Sequence, residues 1–250
     1  MKIEVKDNYE EVSQRAAELV ARELLLREEP VMGLPTGGTP KKMYDILVSY
    51  YEKGLVDFSK VTTFNLDEYY PISKKDQKSF NKYMEERFAS KVNIKNENYH
   101  IFNGEIDADK TDSHCRNYEK SIAEAGGIDL TVLGIGENGH IAFNEPGTDF
   151  AATSRKVELN KETIENDFED VDSAPKKALT MGIKTITHSR KILLLASGDH
   201  KARAIEEAIS GPVTRDCPAS VLQLHPEVTF LVDEEAGKRI SSNSEQGERN

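Results

Sequence analysis

The chain has 250 residues, of which 37% are apolar and 31% charged, and its formal net charge is −11. This composition is typical of a globular protein with one large or two small domains, and the negative charge disfavours nucleic acid as a partner because phosphate backbones bind basic surfaces. The amino terminus is too charged for a signal peptide, and no apolar run approaches the ~20 residues that span a membrane. We therefore expect a cytoplasmic protein without a membrane partner, in which Cys115 and Cys217 stay reduced and unpaired.

The first half of the chain alternates helices with short apolar strands. Residues 9–26 have an apolar period that predicts a helix. A strand at 31–36 leads through a glycine turn into a helix from about Thr39, and a strand at 61–66 precedes a helix at 79–88. The residues predicted to face the core are Val12, Ala16, Leu19, Val20 and Leu24 in the first helix and Met43, Ile46, Leu47 and Tyr50 in the second.

The second half continues this alternation, with strands predicted at 99–102, 128–136, 191–197 and 228–233 and helices at 108–125 and near 200–210. Continuous Val, Ile and Leu strands between helices indicate an α/β fold with a parallel sheet covered by helices on both faces. Ligands of such folds bind at the carboxyl ends of the strands. The acidic segment 148–180 shows no clear strand and is predicted to be a loop-and-helix lid over that edge. We expect residues 1–240 to form a single α/β domain and residues 241–250 a frayed polar tail.

A glycine turn, 35-PTGGTP-40, follows the strand at 31–36 and precedes a helix. The backbone amides of Gly37 and Gly38, the hydroxyls of Thr36 and Thr39, and the positive end of the helix dipole together suit a phosphate. On these residues alone a tight strand-to-helix turn with a threonine N-cap is equally compatible. The turn is neither a Walker A motif nor a dinucleotide-binding GxGxxG.

Acids, a histidine and a lysine follow three further strands. Asp67 and Glu68 come where the strand at 61–66 should end; solvated turn acids are the favoured interpretation, and a general base is the alternative. In 134-GIGENGHIAFNEPG-147, His140 and Glu145 suit a proton-shuttling histidine held in one tautomer by an acid. Lys201 opens a helix after the strand at 191–197, where a cation is unfavourable unless an anion binds there; an exposed lysine is the alternative.

Five segments, taken together and in this order, resemble the glucosamine-6-phosphate deaminase family. They are 33-GLPTGGTP-40, 64-FNLDEYY-70, 134-GIGENGHIAFNEPG-147, 177-KALTMGI-183 and 218-PASVLQLHP-226, within a resemblance that covers about residues 1–236. The resemblance implies a modified Rossmann-like fold and conversion of an amino-sugar 6-phosphate to fructose 6-phosphate and ammonia, in amino-sugar catabolism, without a metal or an organic cofactor. The implied partner is this small molecule; a homo-oligomer is compatible with the sequence, which does not give the number of copies.

The resemblance also implies roles for individual residues. Asp67 resembles the base that moves the proton between C2 and C1, and His140 resembles the group that opens the sugar ring. Glu145 resembles the acid that holds and tunes this histidine, and Asn138 falls where family members carry aspartate or asparagine. The glycine loop at 36–39 and Lys201 resemble the phosphate-binding groups.

Two departures from the family pattern affect these expectations. Many members carry N-[AS]-R-[FY]-F, whose arginine also binds the phosphate, but residues 162–179 are shorter here and contain no arginine. Lys176 or Lys177 is a candidate replacement, and weaker phosphate binding is the alternative. A galactosamine-6-phosphate deaminase therefore remains open. The long members' effector site is not clearly reproduced, so we expect no allosteric activation.

Two other functions compete with a deaminase. A 6-phosphogluconolactonase-like hydrolase on a related fold should lack an isomerisation base such as Asp67, whereas this chain has both that acid and Glu145. A non-catalytic sugar-phosphate sensor is disfavoured, because a sensor needs no acid–base groups and is normally joined to a helix-turn-helix. Metal and serine hydrolases are not predicted, because the HExxH, CxxC and GxSxG motifs are missing from the sequence.

Overall fold

The computed structural model describes residues 1–168, 170–171 and 174–240, so the tail predicted at 241–250 lies outside the described residues. The strands are β1 (Lys2–Lys6), β2 (Val31–Leu34), β3 (Thr62–Asn65), β4 (Asp67–Tyr70), β5 (Tyr99–His100), β6 (Leu130–Leu133), β7 (Arg155–Glu158), β8 (Lys177–Thr180), β9 (Lys191–Ala196) and β10 (Val228–Asp233). The α-helices are α1 (Tyr9–Leu26), α2 (Lys41–Glu52), α3 (Phe80–Arg87), α4 (Thr111–Glu124), α5 (Lys161–Asp167), α6 (Ile183–Thr187), α7 (Ala202–Ser210) and α8 (Glu234–Gly237).

The main sheet has seven strands in the order β1-β10-β9-β6-β2-β3-β5, and each neighbouring pair is parallel. The predicted parallel α/β fold is therefore confirmed. Chain order runs in one direction from β2 to β3 and in the other from β6 to β9, so the sheet reverses between β2 and β6. Loops that follow neighbouring strands separate at such a reversal and leave a crevice at the carboxyl edge.

Helices bury both faces of the sheet, which explains the unbroken apolar runs of its strands. In β9, Ile192 and Leu194 pack in the core beneath α4 and α7, whereas Leu193 and Leu195 pack against α1 and α2 on the other face. Alternate residues of a strand point to opposite faces, so a strand covered twice is apolar at every position. Of the residues predicted to face this core, Leu19, Ile46 and Tyr50 are only partly buried.

A second, antiparallel sheet of three strands, in the order β4-β8-β7, corrects the prediction for residues 148–180. No clear strand was predicted there, yet the segment holds β7, α5 and β8. The strands have four residues each, and the RKVE sequence of β7 has no apolar run to signal it. Their pairing partners, rather than their own sequences, determine their structure. The charged edge strand β1 was missed for the same reason.

The two free cysteines are both buried, as expected for reduced thiols. Of the helices within the described residues, none combines the length and the apolar character needed to cross a membrane.

Candidate active site

Three of the strand exits that the sequence singled out meet at one cavity of about 390 Å³. Its lining comes from the glycine loop after β2, from the start of β4, from the loop after β6, and from Lys78, Phe80 and Phe168. A volume of this size suits a small metabolite. The structure thus places residues 36–39, Asp67 and His140 around one space, at the point where the sheet reverses direction.

The glycine loop is tied down through its carbonyl groups. The hydroxyl of Tyr83 donates to the carbonyl of Gly37 at 2.8 Å, and that of Tyr9 donates to the carbonyl of Gly38 at 3.1 Å. Gly37 has a φ of +100°, which a residue with a side chain rarely adopts. Apart from the adjoining residues, no atom of the described part of the chain lies within 4 Å of the place where a Cβ of Gly37 or Gly38 would stand, so open space borders the loop.

Asp67 and Glu68 are both buried, so the favoured interpretation of them as solvated turn acids is wrong. The chain leaves β3 and, after Leu66 alone, enters β4, where Asp67 pairs with Thr180 of β8. Asp67 lines the cavity with 7% of its surface exposed. Strand alternation turns Glu68, its neighbour, to the other side, where it is fully buried.

Glu68 connects β4 to the beginning of α3. Its carboxylate accepts hydrogen bonds from the Ser79 hydroxyl at 2.7 Å, from the amides of Phe80 and Asn81 at 2.9 and 2.8 Å, and from the amide of Tyr69 at 2.9 Å. Burial raises the pKa of Glu68, while the amides of Phe80 and Asn81 oppose this rise. A carboxylate at a helix N-terminus satisfies amides that have no partner within the helix. Glu68 therefore fixes the strand that carries Asp67.

His140 is oriented by two side chains of its own loop. Its Nδ1 lies 2.9 Å from Oδ1 of Asn138 and 3.5 Å from Oε2 of Glu145. The amide nitrogen of Asn138 donates to the same Glu145 oxygen at 2.8 Å, which orients the Asn138 amide with its oxygen towards the histidine. In the neutral imidazole the proton is therefore on Nδ1, and Nε2 is left with a lone pair.

Glu145 is held by groups from two segments of the chain. Besides the contacts above, its Oε1 accepts a hydrogen bond from the hydroxyl of Thr163 in α5. Burial by itself raises the pKa of Glu145, but the hydrogen bond and charge of His140, with Thr163 and Asn138, outweigh burial and lower the pKa to about 2. The carboxylate of Glu145 therefore stays ionised beside the imidazole.

Two glycines of the loop after β6, Gly136 and Gly139, are required by close packing. A Cβ on Gly136 would stand 2.3 Å from the ring of His140, and one on Gly139 would stand 2.6 Å from Sγ of Cys217. The amide of Gly136 donates to the carbonyl of His140 at 2.9 Å, which closes the loop. The glycines in the sequence GIGENGH thus leave the space in which the imidazole packs, and larger residues would fill that space.

Three lysines proposed from the sequence do not line the cavity. Lys201 precedes α7 and is not part of the cavity lining. Lys177 pairs with Glu158 at 3.1 Å, and Lys176 donates to the carbonyl of Val171. Lys78, which does line the cavity, was missed because 74-KKDQK-78 is indistinguishable from a solvated turn in sequence. Thr163 was missed as well, since one threonine in an acidic helix carries no signal.

The chain is similar to known proteins over nearly its whole length. The family model for glucosamine-6-phosphate isomerases/6-phosphogluconolactonase matches residues 5–231, and the chain belongs to this family. The chain is 47% identical to a glucosamine-6-phosphate deaminase of Halothermothrix orenii over 243 residues, which are 96% of this chain and 100% of that protein. It is 46% identical to one of Clostridium acetobutylicum, again over 96% and 100% of the two chains.

Solved structures show the same relationship. A monomeric glucosamine-6-phosphate deaminase is 43% identical and matches with a TM-score of 0.91 over 95% of this chain and 99% of its own. The 6-phosphogluconolactonase from Trypanosoma cruzi has a TM-score of 0.77 at 19% identity, over 96% of this chain and 97% of its own, and shares the fold.

The lowered pKa of Glu145 predicts a dependence of stability on pH. Because the folded state lowers this pKa from 4.5 to about 2, the charge of Glu145 stabilises the fold fully above pH 4.5, and this stabilisation is lost as the pH falls towards 2. We expect Glu145→Gln to lower the free energy of unfolding at pH 7, and the deficit relative to the wild type to shrink at about pH 3. Urea unfolding at both pH values measures this; a deficit that grows at low pH contradicts the prediction.

The hydrogen bonds by which Glu68 clamps β4 to the start of α3 predict that a substitution of Glu68 destabilises the fold, whereas a substitution of a surface acid does not. In Glu68→Gln an amide NH₂ replaces one oxygen that now accepts two hydrogen bonds. We expect this substitution to lower the free energy of unfolding by about 1–3 kcal/mol, since buried donors lose their acceptor. The control is Glu97→Gln at an exposed position. Equal unfolding midpoints in urea for both variants would show that Glu68 is not a clamp.

Proposed function

We propose that this chain is a glucosamine-6-phosphate deaminase, which isomerises the amino sugar from aldose to ketose and releases ammonia, leaving fructose 6-phosphate. The observation that carries the proposal is that Asp67 and the oriented His140 line the same cavity as the glycine loop. A carboxylate, an imidazole and a candidate phosphate-binding loop are the groups this reaction needs. The proposal is supported by curated relatives of this name, which are 44–47% identical to this chain over nearly their whole length.

Ring opening is assigned to His140. With the proton on Nδ1, Nε2 takes the proton of the C1 hydroxyl while the bond from C1 to the ring oxygen breaks and a C1 carbonyl forms. The resulting imidazolium lies 3.5 Å from Oε2 of Glu145, which stabilises it. The imidazolium then returns the proton to the ring oxygen, so the histidine ends the step as it began.

Proton transfer between the two reacting carbons is assigned to Asp67. Its carboxylate removes the proton of C2, the electrons of that bond form a C1–C2 double bond, and the C1 oxygen takes up the proton that the substrate's own C2 ammonium group releases, which gives an enolamine. Return of the proton to C1 leaves an iminium at C2; water adds there, ammonia departs and the ketone forms. A short side chain on a regular strand gives this base a fixed position, which a reaction on adjacent carbons requires.

The phosphate is assigned to the glycine loop at residues 36–39, beside the N-terminus of the 12-residue helix α2. Lys201 stays a proposed phosphate contact, although it reaches this loop only if its side chain enters a cavity that it does not line in this structure.

Residues 148–180 stay the proposed lid, and Thr163 in this segment touches Glu145. A homo-oligomer stays a prediction. We propose the cytoplasm as the place of action.

The proposed function is tested by incubating the purified protein, after treatment with a chelator, with glucosamine 6-phosphate. We expect ammonia and fructose 6-phosphate to appear in equal amounts. Galactosamine 6-phosphate and 6-phosphogluconolactone are the matched alternatives, and we expect slower turnover of the first and no hydrolysis of the second above its spontaneous rate. Faster release of ammonia from the galactosamine substrate would reassign the epimer, and lactone hydrolysis alone would contradict a deaminase.

Asp67→Asn keeps the size of the side chain but removes the base. We expect kcat to fall by about 10²–10⁴-fold or more, with little change in the Kd for fructose 6-phosphate. Stopped assays of ammonia and calorimetric titration measure the two quantities. A variant with the kcat of the wild type would remove Asp67 from the mechanism.

Lys201→Ala tests the assignment of the phosphate. If Lys201 holds the phosphate equally in the bound and transition states, KM should rise by about tenfold while kcat changes little. Steady-state kinetics with glucosamine 6-phosphate measure both constants. An unchanged KM would remove Lys201 from the proposed phosphate site.

A further inference from the structure

The cavity is short of positive charge for the ligand proposed to bind there. Its lining includes the carboxylate of Asp67 but, among the described residues, only one lysine or arginine side chain, that of Lys78. A sugar phosphate brings close to two negative charges, and backbone amides of a glycine loop offer only partial charges in return. A cation at the cavity wall is therefore the group whose absence would most weaken binding.

We propose that Lys78 is a phosphate-binding residue of this site, an inference that rests on the proposed function and names the cation it requires. The ammonium group stands 4.4 Å from the centre of the Phe168 ring, in a cation–π contact. Within residues 1–168, 170–171 and 174–240, no carboxylate forms an ion pair with it. An ammonium that rests on an aromatic face keeps its hydrogen-bond donors for an anion.

The backbone that carries Lys78 is fixed to the strand that carries the proposed base. Its amide donates to Oδ1 of Asp76 at 2.9 Å, and the next two residues, Ser79 and Phe80, both donate to the buried carboxylate of Glu68. Lys78 thus projects from a rigid turn, although its side chain is exposed and long. A cation on such a base has less conformational entropy to lose when it binds an anion.

The same turn is connected to the glycine loop. Helix α3 begins directly after Ser79, and Tyr83 on this helix donates to the carbonyl of Gly37. Lys78 and the loop therefore belong to one hydrogen-bonded unit, and both line the cavity. A phosphate between them would receive amides from the loop and an ammonium from the turn.

The experiment compares Lys78→Gln with Lys75→Gln, a second exposed lysine of the same turn that does not line the cavity. Calorimetric titration with fructose 6-phosphate gives the Kd of each variant without requiring turnover. We expect Lys78→Gln to raise the Kd by about tenfold or more, since a charge-assisted hydrogen bond to phosphate is lost, and Lys75→Gln to leave it within about twofold. The Kd of the wild type should also rise more steeply with salt than that of Lys78→Gln.

Two further variants and readouts separate a phosphate contact from a structural role. Lys78→Arg keeps the charge and should keep the Kd within about threefold of the wild type. Equal melting temperatures of Lys78→Gln and Lys75→Gln are expected, because the side chain is exposed. Equal Kd values for these two variants, or a Kd for Lys78→Arg as weak as for Lys78→Gln, would overturn the assignment.

The binding assay also distinguishes this inference from the proposed function. Lysine-dependent binding of fructose 6-phosphate by a wild type that releases no ammonia would support Lys78 and refute the deaminase. Ammonia release that is unaffected by Lys78→Gln, at an unchanged KM, would support the deaminase and refute Lys78. A wild type that neither binds fructose 6-phosphate nor releases ammonia would overturn both.

Discussion

The direct passage of the chain from β3 to β4 is the constraint on which the site depends. Leu66 is the single residue between them, and its backbone is bonded to both sheets, since its amide donates to Leu34 and its carbonyl accepts from Met181. No loop separates the parallel sheet from the antiparallel one, so Asp67 starts a strand whose position the main sheet fixes. A base that serves two adjacent carbons needs such a position, because small misplacements reduce its effect strongly.

Asp67 and Glu68, which are neighbours in β4, have different roles because successive side chains of a strand point to opposite faces. Asp67 faces the cavity, while Glu68 holds the start of α3 and, through it, the turn of Lys78. The ionised Glu145 likewise has a positioning role and does not itself react, since it orients and stabilises His140. Buried carboxylates therefore position both of the proposed catalytic residues, and each is stabilised by several donors.

The parallel sheet could be predicted because strands buried on both faces, such as β9, are apolar at every position. The glycine loop, Asp67 and His140 could be placed at one edge because parallel strands end together. The antiparallel sheet could not, since β7 and β8 depend on pairing with β4. The burial of Glu68 depends on donors eleven to thirteen residues further along, a distance at which residue types carry no signal. Lys78 has the sequence context of a solvated lysine.

The central claim is that one carboxylate, on one face of the opened sugar, moves the proton from C2 to C1. The most direct measurement is conversion of glucosamine 6-phosphate in heavy water, followed by NMR of the fructose 6-phosphate formed. We expect deuterium from the solvent to enter at C1 alone, at no more than one atom per molecule and in one of the two stereochemical positions. Deuterium divided equally between both C1 positions, above the enzyme-free background, would contradict a single fixed base at Asp67.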